Sequence, residues 1–550
     1  MDVTITPVSD HPEPVDDVIL IDGHLLRLTD VWRVATREDA PAVRLAADAR
    51  DRMRGSVRTR RDLTAGGPAP GEPGGGADRQ GRAAALQRNV VRFLRVGTGS
   101  PAPDDVVRAT LLIRANSAAR GNSGIREEPV ERLLDLLAHD ILPLIPERGS
   151  VGAGGDLAPL AYVAAAVLGE GEVRHRGHEM PAARALAACE LDPLELEARE
   201  GPALVNGTAF MAAYAVLAAV EAAELAFAAE LCTALTTEVR LGCAAQFHPF
   251  PHEHKPHPGQ CDSAARIRDL LHRSPAGGPE GGRTPDPHSV RCAPHVVGML
   301  RDTLAWTGQW LTTEINSSND DPLLDPEQPV AHSGGNFYGG HIAQAASALT
   351  SAAAATADLL DRQLQLVLDE KHSRGLPADL VPRMPEGHPA AGLHHGFGGA
   401  RIAASALVAE ALHLTLPAAS FSRSGAADDQ GKVSMGTIAA RHARGAVRLA
   451  TDVAAIHLMA LCQAADLRGP SCLGPATRTA HAFVRAHARL LDEDRPLDAD
   501  IEHLAHLIRT GTLRHATTSP TTSPSPTTSP TTSPTTSPTT SPSPSPTDRG

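Results

Sequence analysis

A glycine-rich turn ahead of a helix is the segment of this chain best suited to chemistry. Residues 149–162 read GSVGAGGDLAPLAY, with Gly154 and Gly155 directly before Asp156. Asp156 is a suitable N-cap for a helix that begins at Leu157. The glycines allow a tight backbone turn, and the positive end of the helix dipole could stabilise developing negative charge. On spacing alone, an ordinary turn before a helix is the simpler interpretation.

Four histidines form a second candidate group. Residues 247–260 read FHPFPHEHKPHPGQ. Imidazoles are common zinc ligands, but a metal needs several of them around one point. The prolines interrupt any helix that would place two histidines on one face, four residues apart. We therefore expect no metal site from His248, His252, His254 and His257.

Long helices are the elements that must position these segments. Aromatic residues make up only 3% of the chain and alanine is abundant, which favours helices over a large sheet. Residues 209–235, which follow Asn206-Gly207-Thr208, contain no proline or glycine and predict a long buried helix. Residues 341–370 and 433–467 predict two more. The expected fold is mainly α, a long-helix bundle with a smaller mixed N-terminal part.

Composition also divides the chain. We expect a mixed domain over residues 1–200, which contains the AGG turn, and a helix bundle over 201–515. Glycines and prolines predict a mobile loop at 64–81, TAGGPAPGEPGGGADRQG. Residues 516–550 consist mainly of Ser, Thr and Pro, which cannot bury a core, so a disordered tail is predicted.

Charge and cysteine content exclude several functions. The net charge of −13 does not suit nucleic-acid binding, which needs a basic surface. We expect no membrane span, because no apolar run reaches the ~20 residues required, and no secretory signal at the start. The seven cysteines contain no CxxC pair, which indicates reduced thiols and a cytoplasmic protein.

Several motifs in one order resemble the aromatic amino-acid lyases, which include histidine, phenylalanine and tyrosine ammonia-lyases and their aminomutase relatives. The turn at 149–162 resembles the family signature. The other motifs are LQRN and RFL within 86–94, LVNGT at 204–208, KPHPGQ at 255–260, DPHSVRC at 286–292, the segment 316–322, SGGNFYG at 333–339 and VSMG at 433–436. So many specific motifs in one order are a much stronger signal than any one motif.

The resemblance implies an ammonia-lyase-like fold, a homotetramer whose active sites use loops from several subunits, and a small carboxylate substrate. Arg291 matches the arginine that pairs with that carboxylate, a contact that suits a bidentate guanidinium. Phe93 and Leu94 resemble the phenylalanine-type selector of the substrate side chain. The remaining substrate-binding positions that the resemblance assigns are Asn206, Asn336 and Phe337. Gln430 is a candidate catalytic residue, as are His288 and Gly154.

The chain departs from the family pattern in three places. The family builds its electrophile, a methylidene-imidazolone (MIO), from a consecutive Ala-Ser-Gly, whereas this chain has Ala153-Gly154-Gly155. Gly154 has no Cβ to become the methylene, so we expect no MIO prosthetic group. The family's lid tyrosine is also missing, because no tyrosine occurs before Tyr162, and His288 replaces a tyrosine in the DPHSVRC segment.

Three hypotheses follow. The first is an MIO-less enzyme that acts on a small carboxylate by elimination, addition or cyclisation, with His288 as general acid or base, since imidazole titrates near neutrality. In this first hypothesis, the turn at Gly154 is a backbone anion site. The second is a non-catalytic paralogue that assembles with itself or with an active lyase. The third, placed last on chemical grounds, is a conventional aromatic amino-acid ammonia-lyase.

Overall fold

The computed structural model describes residues 18–37, 41–65, 79–275, 285–385, 387–423 and 431–518. Helices dominate these ranges, which confirms the predicted fold class. They are α1 (Leu28–Thr36), α2 (Ala47–Ala65), α3 (Arg79–Phe93), α4 (Asp104–Ala119), α5 (Glu127–Ala138), α6 (Leu157–Val167), α7 (Ala182–Ala188), α8 (Glu200–Val205), α9 (Ala209–Val239), α10 (Pro249–Glu253), α11 (Pro258–Leu270), α12 (His288–Arg291), α13 (Ala293–Ile315), α14 (Gly340–Leu368), α15 (Gly398–His413), α16 (Gly436–Arg468), α17 (Pro475–His487), α18 (Asp498–Arg509) and α19 (Thr512–Thr518).

The strands are short and form small separate sheets. They are β1 (Val18–Ile21), β2 (Ala42–Leu45), β3 (Thr98–Pro101), β4 (Ile141–Pro143), β5 (Pro146–Arg148), β6 (Glu172–His175), β7 (His178–Pro181), β8 (Leu323–Asp325) and β9 (Val330–His332). β1 pairs with β2 in parallel, β3 pairs with β5 antiparallel, β4, β6 and β7 form an antiparallel sheet, and β8 pairs with β9 antiparallel. The β3–β5 pairing matters for the site, because β5 leads directly into the glycine turn.

The core of the bundle consists of α9, α13, α14 and α16, which pack along one another. α9 is buried at nearly every position, and its many alanines let neighbouring helices approach closely. Its 31 residues make it about 46 Å long at 1.5 Å per residue. The two ends of α9 are therefore far apart, which decides which predicted site residues can meet.

α13 runs antiparallel to α9. Arg301, near the middle of α13, pairs with Glu230 in the second half of α9, with Nε 2.6 Å from Oε1. Glu314, in the last turn of α13, accepts a 2.6 Å hydrogen bond from the hydroxyl of Thr208 at the start of α9. The end of α13 therefore lies beside the start of α9.

α14 and α16 run parallel to α9. Gln363, late in α14, donates to the hydroxyl of Thr233, late in α9, at 3.0 Å. Arg468, the last residue of α16, donates to the carbonyl oxygen of Val239, the last residue of α9. Three long helices therefore begin at the same end of the bundle.

The three predicted long helices are confirmed as α9, α14 and α16, with ends shifted by up to four residues. Most of the predicted loop and all but the first residues of the predicted tail lie outside the described ranges. Residues 64–65 and 79–81, at the two edges of the predicted loop, are helical instead. One hydrophobic core extends from Ile19 to Leu513, so the boundary at residue 200 stays a prediction.

Within the described ranges, two helices are long and apolar enough to cross a membrane by length and composition, namely α9 and α16. This corrects the expectation that no apolar segment reaches that length. In their most apolar windows, 89% and 78% of the residues are buried inside the protein. We therefore assign both helices to the core of the bundle.

Candidate active site

The backbone of the glycine turn is attached to the start of α9. Asp156 donates its backbone N–H to the carbonyl oxygen of Gly207 at 2.7 Å, and Gly155 forms a β-bridge with Gly207. Gly155 has φ +77°, and a Cβ built on it would lie 2.2 Å from the Gly207 oxygen. Only glycine fits where two backbones approach so closely.

The Asp156 side chain joins three chain segments. Its Oδ1 accepts hydrogen bonds from the hydroxyls of Thr437 (2.6 Å) and Ser150 (3.2 Å), and its Oδ2 accepts one from the backbone N–H of Met211 (2.8 Å). Asp156 occupies the predicted N-cap position of α6, but its carboxylate makes no capping bond to that helix. Burial raises the pKa of this carboxyl to about 6, although the donors favour its ionised form.

Four helix N-termini converge at this turn. α6 begins at Leu157, and α9 begins two residues after Gly207. A Cβ built on Gly339 or Gly436, at the starts of α14 and α16, would lie 2.3 or 2.4 Å from the sulfur of Met211 in the first turn of α9. Because a helix carries partial positive charge at its N-terminus, this region favours an anion or a developing negative charge.

Asn206 lies beside the turn and is held from the segment before β8. Its Nδ2 donates to Oδ1 of Asp320 at 3.0 Å. Asn319, the residue before Asp320, donates its Nδ2 to the hydroxyl of Thr208 at 2.7 Å. Two neighbouring residues of one segment therefore hold both sides of Gly207.

Asn336 and Phe337 belong to the same neighbourhood. Asn336 is exposed, and its Nδ2 donates to the carbonyl oxygen of Ser318 at 3.0 Å. Phe337 follows it and is half-buried. The structure therefore brings these two predicted site residues to the segment that holds Asn206.

Phe93 and Leu94 lie at the end of α3, along the approach to the turn. The backbone N–H of Gly97 donates to the hydroxyl of Tyr162 in α6 at 3.1 Å, and β3 then pairs with β5. Leu94 is partly buried against the core, whereas 68% of Phe93 is exposed. An exposed phenylalanine is available to a ligand or to another chain.

His288 and Arg291 lie at the opposite end of the bundle, and both side chains are exposed. Between them, the carbonyl oxygen of Ser289 accepts a 2.8 Å hydrogen bond from Gln363, which also donates to Thr233. Thr233 is 22 residues after Met211 in α9, or about 33 Å along the helix axis. One copy of the chain therefore does not bring Arg291 to the turn at Gly154. Gln430 lies outside the described residues.

Asp286 fixes the segment that carries His288 and Arg291. It is 2% exposed. Its Oδ2 accepts the backbone N–H of Cys243 at 2.9 Å and Nε2 of Gln246 at 3.3 Å, and its Oδ1 lies 3.3 Å from Nη2 of Arg374. These contacts attach the start of α12 to the residues just beyond the end of α9.

Sequence reasoning gave no role to Asp286, Asp320 or Arg114. The two aspartates lie inside motifs quoted above, and their place in those motifs could have marked them as candidate site residues. Arg114 gave no signal, because a lone arginine in an otherwise apolar stretch of α4 forms no pattern. It is 1% exposed and donates to the carbonyl oxygens of Asn206 and Ala203.

The histidine-rich segment has local partners. His252 Nδ1 lies 3.0 Å from Nε2 of Gln260, and His254 Nδ1 lies 2.8 Å from the carbonyl oxygen of Phe250. Across the ranges that the structure describes, no three His, Cys, Asp or Glu side chains are grouped to hold a metal ion.

A bundle of long helices whose N-termini surround a glycine turn and an asparagine segment defines a mainly helical, ammonia-lyase-type fold. The aromatic amino acid lyase profile matches residues 26–486. A histidine ammonia-lyase from Myxococcus xanthus is 38% identical over 511 residues, 91% of this chain and 98% of the relative. One from Gloeobacter violaceus is 39% identical over 433 residues, 78% of this chain and 83% of the relative.

Solved structures of proteins named as ammonia-lyases or aminomutases share the fold of this chain. The histidine ammonia-lyase from Trypanosoma cruzi superposes with a TM-score of 0.82 at 30% identity and covers 91% of this chain and 95% of its own. The tyrosine aminomutase from Streptomyces globisporus gives a TM-score of 0.83 at 34% identity and covers 90% and 98%. The chain belongs to the aromatic amino-acid lyase family, a family of carbon–nitrogen lyases.

The residues present do not fit the MIO group of this family. Gly154 lacks the side-chain carbon that the exocyclic methylene requires. Its φ is +65°, and a Cβ built on it would lie 2.9 Å from Cδ1 of Leu157. Ser150, the nearest serine before the turn, uses its hydroxyl to bond Asp156 and the backbone N–H of Gly152.

Proposed function

We propose that this chain is a carbon–nitrogen lyase acting on a small amino acid with a ring-bearing side chain. The observation that carries the proposal is the similarity to histidine ammonia-lyases over nine-tenths of the chain. These comparisons support the conventional lyase, which the sequence alone placed last, at least as well as an MIO-less enzyme. Deamination of histidine is therefore the reaction to test first.

Arg291 is the proposed partner of the substrate carboxylate, in a site completed by another copy of the chain. Within one copy it lies at the far end of α9 from the turn, since about 33 Å of helix separates Met211 from Thr233. Its exposed guanidinium has no hydrogen bond or ion pair within the described ranges, so it is free to serve a neighbour. A homotetramer, as the family resemblance implies, would supply the second copy.

Gly154 favours a second candidate at the same site. Without a methylene electrophile, general acid–base groups alone contribute about 10²–10⁴-fold, which is too little for loss of a poor leaving group such as an amine. The reaction would then be elimination of a better leaving group, addition to an activated alkene, or cyclisation. His288, exposed beside Arg291, is the proposed general acid or base, and the converging helix N-termini favour an anionic intermediate.

The test is product analysis of the purified protein by mass spectrometry. Histidine, phenylalanine and tyrosine are supplied separately, and arylacrylate and ammonia are measured. Ligand binding is followed in parallel by thermal stabilisation with the same amino acids and with 3-phenylpropanoate. Arg291→Ala is compared with Arg44→Ala, an exposed arginine on β2. We expect only Arg291→Ala to lose binding.

Each outcome decides between the candidates. Arylacrylate from the unaltered chain supports the conventional lyase. Stabilisation that depends on Arg291, without arylacrylate, supports the second candidate. If no carboxylate stabilises the protein and it copurifies with an intact lyase, both enzymatic proposals are wrong and the chain is an assembly partner.

A further inference from the structure

Asp320 is a buried carboxylate directly behind a predicted substrate-binding residue. It is 2% exposed. Its Oδ1 accepts hydrogen bonds from Nδ2 of Asn206 at 3.0 Å and from the backbone N–H of Asp321 at 2.8 Å. Its Oδ2 is buried with no hydrogen-bond partner among the described residues. Such a group is costly to bury, so its position calls for a reason beyond packing.

The carboxylate fixes which way the Asn206 amide points. An asparagine amide can present either its NH2 group or its oxygen to a neighbour. An ionised carboxylate only accepts hydrogen bonds, so the NH2 group must face Asp320. The amide oxygen of Asn206 then points away from the buried side. Asn206 is half-buried whereas Asp320 is buried, so we infer that this oxygen faces the accessible side of the site.

Arg114 holds the backbone of the same residue. One of its Nη atoms donates to the carbonyl oxygen of Asn206 and the other to that of Ala203. Arg114 is fully buried, and Asp320 is the acidic group whose field favours its charge. The buried arginine and the buried aspartate therefore fix the main chain and the side chain of Asn206 respectively.

We propose that Asp320 is a positioning residue that makes Asn206 an obligatory hydrogen-bond acceptor. The site would therefore prefer a ligand that carries an amino group, a donor, over the matching carboxylate without one. This inference rests on the proposed function, because it concerns the ligand of the same site. It adds a preference that neither the fold nor the family motifs specify.

The experiment measures the preference for an amino group. Affinities of phenylalanine and 3-phenylpropanoate, which share ring and carboxylate, are compared by calorimetry for the full-length protein. Hydrogen bonds to charged groups are stronger than those between neutral groups, so the unaltered chain should favour phenylalanine by roughly tenfold or more. Asp320→Asn should remove most of that preference, because the new amide lets Asn206 turn its NH2 group toward the ligand.

Two further variants separate positioning from a general structural role. Asp325→Asn makes the same chemical change at the end of β8, where Oδ1 of Asp325 accepts hydrogen bonds from two backbone N–H groups of the following turn. This variant should keep the preference for the amino group. The exchange Asn206→Asp with Asp320→Asn should restore it. In that double variant the amide at 320 donates to a carboxylate at 206, whose second oxygen remains an acceptor for the ligand.

The results distinguish this inference from the proposed function. If the unaltered chain binds neither compound, the proposed function is overturned, and this inference with it. If it binds both equally, or if folded Asp320→Asn retains the full preference, only this inference is wrong. If Asp320→Asn does not fold, the exchange variant still decides: restored folding without the amino-group preference contradicts the inference.

Discussion

The contact between the glycine turn and α9 predicts a large penalty for one added methyl group. In Gly155→Ala the new Cβ would lie 2.2 Å from the carbonyl oxygen of Gly207. That oxygen is backbone, which cannot rotate away as the end of a side chain can. The two backbones must therefore separate by about 1.3 Å to reach an ordinary contact distance. Separation would break the hydrogen bond from Asp156 to Gly207.

Two terms give the size of the effect. A residue other than glycine in the left-handed region costs about 1–2 kcal/mol. Leaving a buried backbone N–H without its partner costs about 1–3 kcal/mol. We therefore expect Gly155→Ala to lower the free energy of unfolding by about 3 kcal/mol, and to weaken ligand binding at the turn.

Gly177 supplies a matched control. Its φ is +82°, close to that of Gly155, but a Cβ built there meets nothing within 4 Å. Gly177→Ala should therefore show only the backbone term of about 1–2 kcal/mol. Urea unfolding followed by circular dichroism measures both variants. If Gly155→Ala destabilises no more than Gly177→Ala does, the close approach of the turn to Gly207 is wrong.

Three further predictions concern buried titratable side chains. Burial lowers the pKa of His457 to about 3, whereas in the unfolded chain it is about 6.5. The free energy of unfolding should therefore be highest above pH 6.5 and fall by about 2 kcal/mol at pH 5, where the unfolded chain binds a proton that the folded chain does not. In urea unfolding, His457→Gln should flatten this dependence of stability on pH. The pKa of Asp156 is instead raised to about 6, so the unaltered chain should lose about 2 kcal/mol relative to Asp156→Asn as the pH rises from 4 to 7. Asp286→Asn should weaken carboxylate binding by calorimetry about as much as Arg291→Ala does, because it releases the start of α12, whereas Asp325→Asn should not.

Local sequence accounts for the long helices but not for their ends. The run from Ala209 contains no proline or glycine, and it forms one helix as predicted. The third predicted helix was placed from Val433 but begins at Gly436. The backbone N–H of Val433 is taken by the hydroxyl of Ser422, and Met435 adopts the left-handed conformation with φ +58°. The backbone N–H of Met435 donates to the carbonyl oxygen of Val151 at 3.0 Å, a contact between distant parts of the chain that helix propensity does not contain.

The candidate site was predictable as a set of residues but not as an arrangement. Motifs indicated Asn206 and Arg291, yet they say nothing about which end of a long helix each residue approaches. The length of α9 separates these two by tens of ångströms in one copy. The partner of Asn206 was equally hidden, because Asp320 lies 114 residues further along the chain and only folding brings the two together.

The contacts around the turn also bear on what Gly154 means for the chemistry. The hydrogen bonds that attach the turn to the start of α9 use the backbone of Gly154 and Asp156 or the Asp156 carboxylate, and none needs a side chain at 154. A serine at 154 would approach only the flexible end of Leu157, so its added cost is mainly the left-handed backbone, about 1–2 kcal/mol. The framework can therefore persist with or without the reactive side chain.

If Gly154→Ser gains arylacrylate formation that the unaltered chain lacks, the missing carbon is the block to the conventional reaction. If it folds, binds the amino acids and still forms no product, the block lies elsewhere, and the absent lid tyrosine becomes the first residue to restore.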